Sequence, residues 1–362
     1  MSTADSRWMA AALALAGRTR GRTAPNPNVG CVIVRDDRVV GRGWTQPGGR
    51  PHAEAMALAL AGDAAHGATA YVTLEPCAHL SARGPACTDL LIAAGIARVV
   101  IALGDPDPRT NGQGIARLRA AGVAVAVGLL AADAARSMAG FLTRRRLGRP
   151  FVTLKLATSL DGCIALADGT SRWITGAEAR AHAHLERARH EAILVGRGTW
   201  EADRPTLDVR LPGLEGRSPQ RVVLSSAPSF VIPASAGIHG HGAAGGSSVP
   251  PSIDPGLRRD DEITGDRGWT IIPSPAAIAT LPGDHLLVEG GAGTAAAFLR
   301  DDLVDRLLLY RAPIVIGGGL PAIGAIGLAD LGSAHGRWQR HDARQLGSDR
   351  LEVYERTPCS PA

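Results

Sequence analysis

The sequence predicts an α/β protein made of two layered domains, and three observations carry that reading. At 362 residues the chain is too long for one ordinary core and comfortable for two. Hydrophobic residues make up 45% and charged residues 20%, a globular balance. Strand-like apolar runs alternate with helical runs twice over, on either side of a break near residues 144–150.

The elements follow in order. MSTADSRWMAAALALAGR reads as an amphipathic helix capped near Asp5 or Ser6, and its lack of a basic cluster argues against a signal peptide. VGCVIVR and VVGRGW form a hairpin around Asp36-Asp37. A helix from His52 to Ala65 precedes the strand ATAYVTL and a helix opening at CTDLLIAAG. The strand RVVIALG, helix GIARLRAAG, strand VAVAVG and helix AADAARSMAGFL complete a domain with a largely parallel later sheet. The dense basic run Arg144 to Arg146 with Arg149 reads as a solvated linker rather than a nucleic-acid patch. The domains are therefore placed at 1–147 and 148–362, with residues 1–147 expected to fold alone. The second contains the strand FVTLKLATSLDG, helix AEARAHAHLERARH, strands EAILVG, RVVLSS and HLLVEGG, helix AAAFLRDD and strand-like VDRLLLYRAPIVIGG. Residues 227–268 break the pattern: rich in Gly, Pro and Ser without a period, they read as a mobile insertion whose His239 and His241 are loop residues.

Composition excludes several functions. No apolar run reaches the roughly 20 residues of a membrane span. Cys31, Cys77, Cys87, Cys163 and Cys359 are odd in number and scattered, which points to a reducing cytoplasm with thiols available for metal. The net charge of +5 comes from dispersed arginines, without the basic, aromatic-lined groove that RNA binding requires. Lys155 is the only lysine in the chain, which suggests a task arginine cannot perform.

Three segments carry the first chemistry: Pro51-His52-Ala53-Glu54, Glu75-Pro76-Cys77 and Pro85-Ala86-Cys87. One imidazole and two thiolates suit Zn²⁺ with a fourth position open for water. Glu54, two residues from His52 at a helix start, reads as the proton shuttle between that water and the ring nitrogen and leaving amine of a substrate. Zinc lowers the pKa of the water towards about 7. The ordered set is the signature of zinc nucleobase deaminases. A closed structural site needs a fourth ligand, for which His79 is the nearby candidate; a substrate contact is the preferred role for His79.

The first half resembles the deaminase domain of the bifunctional riboflavin-biosynthesis deaminase/reductases, through APNPNVGCVIV, PHAEAMAL, GATAYVTLEPCAH, CTDLLIAAGIARVV, GDPDPRTNGQGI and GFLTRRR. The second half continues it through TLKLATSLDG, SRWIT, GRGTWEADRPTLDVR and VEGGAGT. The resemblance implies a three-layer cytidine-deaminase-like fold followed by a dihydrofolate-reductase-like α/β fold. It implies hydrolytic deamination of a phosphoribosylamino-pyrimidine, then NADPH-dependent reduction of its ribosyl chain to ribityl, with no nucleic-acid or membrane partner. Asn26 and His79 become substrate contacts of the deaminase. The spacer AHLSARGPA is one residue longer than the usual family form and lacks its threonine, so no contact is carried onto residues 80–86. By the same match the cofactor positions are Ala157, Trp173, Thr199, Asp203, Ser226 and the loop Gly291, Ala292, Gly293, Thr294, Ala295, Ala296, Ala297. The phosphosugar positions are Ser171, Arg187, Leu207, Arg210 and Glu289, with Arg187 and Arg210 suited to a two-pronged grip on phosphate. Lys155 is assigned to the reduction as an ammonium donor to the sugar hydroxyls. The alternatives are a nucleoside or nucleobase deaminase with an inactive reductase-like domain, or a zinc-fold RNA-binding protein. A homo-oligomer is compatible with the sequence and not specified by it.

Overall fold

A computed structural model describes residues 2–79, 84–227, 230, 232 and 268–357. It divides into unit 1, Met1–Phe151 with Ala188–Glu191 and Ala279–Leu286, and unit 2, which holds the remainder.

Unit 1 grows from the expected hairpin. β1 (Gly30–Arg35) returns through Asp36-Asp37 into β2 (Arg38–Trp44). Both turn residues have positive φ, 49° and 57°, the backbone a two-residue type I′ turn demands. β3 (Thr69–Val72), β4 (Arg98–Ile101) and β5 (Ala124–Val127) complete a sheet ordered β2-β1-β3-β4-β5. β1 is antiparallel to both neighbours, whereas β3, β4 and β5 run parallel. α1 (Thr3–Ala16) lies over Gly30, where an added Cβ would stand 1.9 Å from the Ala12 carbonyl oxygen. α2 (Ala53–Ala61) lies over Gly41 and Gly43, where an added Cβ would come within 2.2 Å of the Ala57 and Ala53 carbonyl oxygens. Gly43 pairs with Cys31, next to Gly30 along β1, so the two helices cover opposite faces and make three layers.

α3 (Cys87–Ala93), α4 (Gln113–Ala120), α5 (Ala131–Ser137) and α6 (Ala139–Leu147) finish the unit. Three expectations change in detail. The first helix is capped by Ser2, not Asp5 or Ser6; Asp5 is the third helical residue of a capping box, and Arg98 and Tyr71 hold its carboxylate. AADAARSMAGFL is two helices, because Met138 leaves helical geometry at φ −109° and ψ 28°. The basic run is the last turn of α6, not a solvated linker. Successive helical residues point about 100° apart, so the three arginines diverge. Arg144 donates to the carbonyls of Ala279, Leu281 and Gly283, at 3.2, 2.8 and 3.1 Å. Arg145 lies 3.5 Å from Asp107, and Arg146 is exposed.

A buried carboxyl in unit 1 makes stability depend on pH. Glu191 accepts the His285 N–H at 2.9 Å, and burial together with the nearby Asp284 charge pushes its pKa from 4.5 up to about 7. A raised carboxyl costs nothing while neutral in both folded and unfolded states. It costs progressively more between pH 4.5 and 7 and its full amount above, about 3 kcal/mol for that shift. Glu191→Gln keeps an acceptor for His285 and removes the charge. Its urea midpoint is expected to exceed wild type clearly at pH 8 and hardly at pH 5; an equal gain at both would refute the ionisation argument.

Unit 2 carries an eight-stranded sheet among the described residues, built from β6 (Phe151–Thr158), β8 (Ala192–Gly196), β9 (Gln220–Leu224), β10 (Trp269–Ile272), β11 (His285–Val288), β12 (Arg306–Arg311), β14 (Trp338–Leu346) and β15 (Asp349–Arg356). Its order is β10-β9-β8-β11-β6-β12-β15-β14. A separate short pair joins β7 (Cys163–Ala165) to β13 (Leu320–Pro321). The helices are α7 (Ala177–Arg187), α8 (Arg197–Asp203) and α9 (Ala292–Arg300). The run VDRLLLYRAPIVIGG is strand only to Arg311. The hairpin β14–β15 has no counterpart in the sequence reading, because WQRHDARQL offers no clear apolar alternation. Within 227–268 the first apolar residues join the core: Phe230 meets the Trp200 ring edge-on at 5.4 Å, and Ile232 is 3% exposed. The rest of the expected insertion, with His239 and His241, lies outside the described residues. No helix among the described residues is long and apolar enough to cross a membrane.

Candidate active sites

In unit 1, two helix starts and the chain after β3 converge. His52 is the N-cap of α2, Cys87 is the first residue of α3, and Cys77 follows β3. Their ligand atoms all lie within 4.8 Å of one another. His52 Nδ1 is 3.6 Å from Cys77 Sγ and 3.4 Å from Cys87 Sγ. Tetrahedral zinc with bonds of about 2.0 and 2.3 Å separates its N and S ligands by roughly 3.5 Å, so the donor set fits that ion. The Cys87 backbone N–H donates to Cys77 Sγ at 3.3 Å. The bond from the Cys87 thiol draws the Cys77 pKa down against the effect of burial. Cys87 is held above its ordinary value by that same bond and by burial. Burial alone would lower His52, but its bond to Cys77 and the Glu54 charge outweigh this and raise it.

Glu54, in the first turn of α2, is 4% exposed. Burial above all, aided by the Cys77 charge and opposed by His52, lifts its carboxyl to about 7. Such a group takes up and releases protons near neutral pH. It lines a cavity of about 350 Å³ together with His52, Cys77, Asn26 and His79. The Asn26 amide nitrogen lies 3.2 Å from His52 Nε2 and donates to the Gly49 carbonyl at 2.8 Å. His79 Nδ1 is 3.3 Å from the Thr110 hydroxyl, and the metal-type group among the described residues is His52, Cys77 and Cys87 without it. Other lining residues went unassigned in the sequence reading: Arg50, Glu75, Asp105, Asp107, Arg109 and Arg145. Glu75 accepts the N–H groups of Asp105, Gly112 and Ile115 at 3.2, 3.0 and 3.1 Å, tying the loop before α4 and the start of that helix to the segment that carries Cys77. Burial lifts Asp105 to about 6. Glu75 beside Pro-Cys and the run GDPDPR were visible signals, but nothing in sequence spacing joins them.

In unit 2 a cavity of about 1480 Å³ opens where β8, β9 and β11 end. Of the cofactor positions, Ala157, Trp173, Thr199, Asp203, Ser226, Gly291, Ala292, Gly293, Thr294 and Ala297 line it. Ala295 and Ala296 do not: they are 0% and 3% exposed on the inner face of α9. Of the phosphosugar positions, Ser171, Arg187, Arg210 and Glu289 line it, whereas Leu207 is 3% exposed and packs with Trp200 in the core. At Gly290 an added Cβ would strike the Thr294 side chain at 2.5 Å, so glycine lets the turn fold onto the start of α9. That helix N-terminus, with open space beside Gly293, fits a cofactor phosphate.

Arg187, the last residue of α7, has a side chain only 14% exposed. Its Nε and Nη2 grip the Glu289 carboxylate at 2.8 and 2.9 Å, and Nη1 donates to the Asp208 carbonyl at 3.0 Å. The two-pronged face expected for phosphate therefore holds a carboxylate. Lys155 Nζ stands 3.9 Å from Glu289. Burial works to raise Glu289, but Lys155 and Arg187 outweigh it and hold its pKa at about 2.

Comparison with known proteins agrees with both halves. Residues 2–103 match the family model for the cytidine and deoxycytidylate deaminase zinc-binding region. Residues 150–238 and 276–351 match the RibD C-terminal domain; the gap between them falls largely in the stretch the sequence sets apart. The riboflavin biosynthesis protein RibD of Escherichia coli K12 is 40% identical over 360 residues, covering 95% of this chain and 97% of that protein. Its counterpart in Aquifex aeolicus is 37% identical over 356 residues, covering 97% and 98%. The solved structure of Acinetobacter baumannii RibD (form 1) superposes with a TM-score of 0.81 at 35% identity, covering 98% of this chain and 99% of that one. A diaminohydroxyphosphoribosylaminopyrimidine deaminase/5-amino-6-(5-phosphoribosylamino)uracil reductase from Thermotoga maritima gives 0.80 at 32% identity, with the same coverage. Fold and sites thus define an enzyme that joins a zinc-type deaminase and a reductase in one polypeptide. The chain belongs to the RibD family, the bifunctional deaminase/reductases of riboflavin biosynthesis. An inactive reductase half and an RNA-binding zinc fold are set aside.

Proposed function

We propose that unit 1 hydrolyses the 2-amino group of 2,5-diamino-6-(5-phosphoribosylamino)pyrimidin-4(3H)-one to a carbonyl, releasing ammonia, and that unit 2 then reduces the ribosyl chain to ribityl with NADPH. The observation carrying the first step is the triad His52, Cys77 and Cys87 at zinc-ligand spacing beside buried Glu54. Zinc held by the triad supplies Lewis-acid activation of water. Glu54 moves one proton of the attacking water to the ring nitrogen and then the second, from the hydroxyl formed at the carbon, to the departing amine, so the carbonyl forms as ammonia leaves. Asn26 and His79 orient the pyrimidine from the cavity wall.

For the second step NADPH supplies the hydride. The start of α9 and Thr199 hold its phosphates. Lys155, fixed beside Glu289, donates to the sugar hydroxyls, and Arg210 and Ser171 receive the substrate phosphate. A cytoplasmic location belongs to the same reading, supported by the free thiols of Cys31, Cys77, Cys87 and Cys163.

The test is incubation with the diamino substrate, with and without NADPH, following ammonia and NADPH absorbance separately. Ammonia release without NADPH, and NADPH oxidation only after it, is expected; oxidation without prior ammonia release would reverse the order. Purified protein should carry about one zinc per chain. Its removal by chelation should stop ammonia release while reduction of the deaminated intermediate continues.

A further inference from the structure

We propose that Arg145, working with Arg109, is the anion-recognition element of the unit 1 cavity and binds the 5′-phosphate of the deaminase substrate. The inference rests on the deamination proposed above and adds how that site selects a phosphorylated substrate.

The cavity that reaches His52, Cys77 and Glu54 is also lined by Asp107, Arg109 and Arg145. Asp107 is 6% exposed and accepts Arg109 Nε and Nη2 at 3.0 and 2.7 Å. The same carboxylate lies 3.5 Å from an Arg145 Nη2. One buried carboxylate therefore serves two guanidinium groups, and the trio keeps a net positive charge facing the cavity. The two arginines are engaged unequally. Arg109 presents its two-pronged edge to Asp107. Arg145 stands beyond the 2.7–3.2 Å of an ordinary N–H···O bond, so its own edge can grip a phosphate in two-pronged fashion.

Arg145 is also held in place. Its guanidinium lies over the Phe141 ring, 5.4 Å from the centroid and one helical turn earlier on α6, and Phe141 lines the same cavity. Its neighbour Arg144 spends its donors on the carbonyls of Ala279, Leu281 and Gly283 and takes no part. Helical phase thus sorts one arginine of the run to structure and the next to the cavity.

The test compares full-length, zinc-loaded wild type with Arg145→Ala and Arg145→Lys. Ammonia release is measured on the phosphorylated diamino substrate and on its dephosphorylated counterpart. For Arg145→Ala, kcat/KM on the phosphorylated substrate should fall roughly 10- to 100-fold, the worth of a charge-assisted hydrogen bond, mainly through KM. On the dephosphorylated compound it should be unchanged, and Arg145→Lys should recover part of the loss. Equal loss on both substrates, or loss on neither, overturns the assignment. Binding of ribose 5-phosphate by calorimetry gives a readout independent of turnover: Arg145→Ala should lose part of the wild-type heat, and identical titrations overturn the proposal. If wild type releases no ammonia from the diamino substrate, the deamination reading falls, and the calorimetric comparison still decides Arg145.

Discussion

Glu54→Gln is expected to retain zinc and to lower ammonia release by about 10²- to 10⁴-fold, the usual contribution of a positioned acid–base group. The side chain sits in the first turn of α2, 4% exposed, with its carboxyl at about 7. Glutamine preserves volume and hydrogen bonding but neither accepts nor returns a proton. The ligand atoms belong to His52, Cys77 and Cys87, so metal content should not change. Metal analysis and ammonia assay of one preparation check both halves of the claim, and NADPH oxidation on the deaminated intermediate reports whether unit 2 is intact. Loss of zinc in Glu54→Gln would make Glu54 a ligand and remove it from the shuttle role.

The other large effect concerns reduction. Lys155→Arg is expected to depress NADPH oxidation by about 100-fold, since a small misplacement of reacting groups costs that much, while ammonia release stays near wild type. Lys155 reaches the cavity from the middle of β6, opposite Leu308 of β12, and its Nζ lies 3.9 Å from Glu289. Glu289 already receives the planar fork of Arg187. A second fork is longer and flatter than an ammonium, and it would compete for the same carboxylate instead of pointing at the sugar. Both activities come from one polypeptide, so each controls the other. Parallel loss of both would indicate misfolding, and full retention of both would show that the lone lysine has no special task.

Much of this was legible in residue order. The deaminase ligands were recoverable because His-x-Glu and the second Cys each stand at a helix start, where local pattern is strong, while Pro-Cys lies in the chain that follows β3. The Asp36-Asp37 turn was legible for the same reason. What stayed hidden depends on long-range geometry. Glu75 bonds residues 30 to 40 positions away, and no local pattern announces that. Arg145 looked like one member of a basic run, because sequence does not show which way each residue of a helical turn faces. Arg187 and Glu289 were both placed at the phosphosugar by resemblance, but nothing in residue order shows that they pair with each other. Ala295 and Ala296 fell in a motif whose helical phase turns two of its residues inward.

The seating of α2 has a consequence for how the deaminase centre tolerates change. At Gly41 and Gly43 the helix rests directly on strand backbone, with no layer of side chains between. Ordinary helix–sheet contacts are cushioned: a bulkier residue is absorbed by rotamer shifts in its neighbours. Here there is no cushion. Any methyl group added on β2 at these positions must lift or tilt the helix as a rigid rod, and His52 and Glu54 ride at its end. The distance between the imidazole and the two thiolates is therefore gauged by main-chain contact on the far side of α2, and a mutation remote from the metal would be read out first as lost zinc affinity.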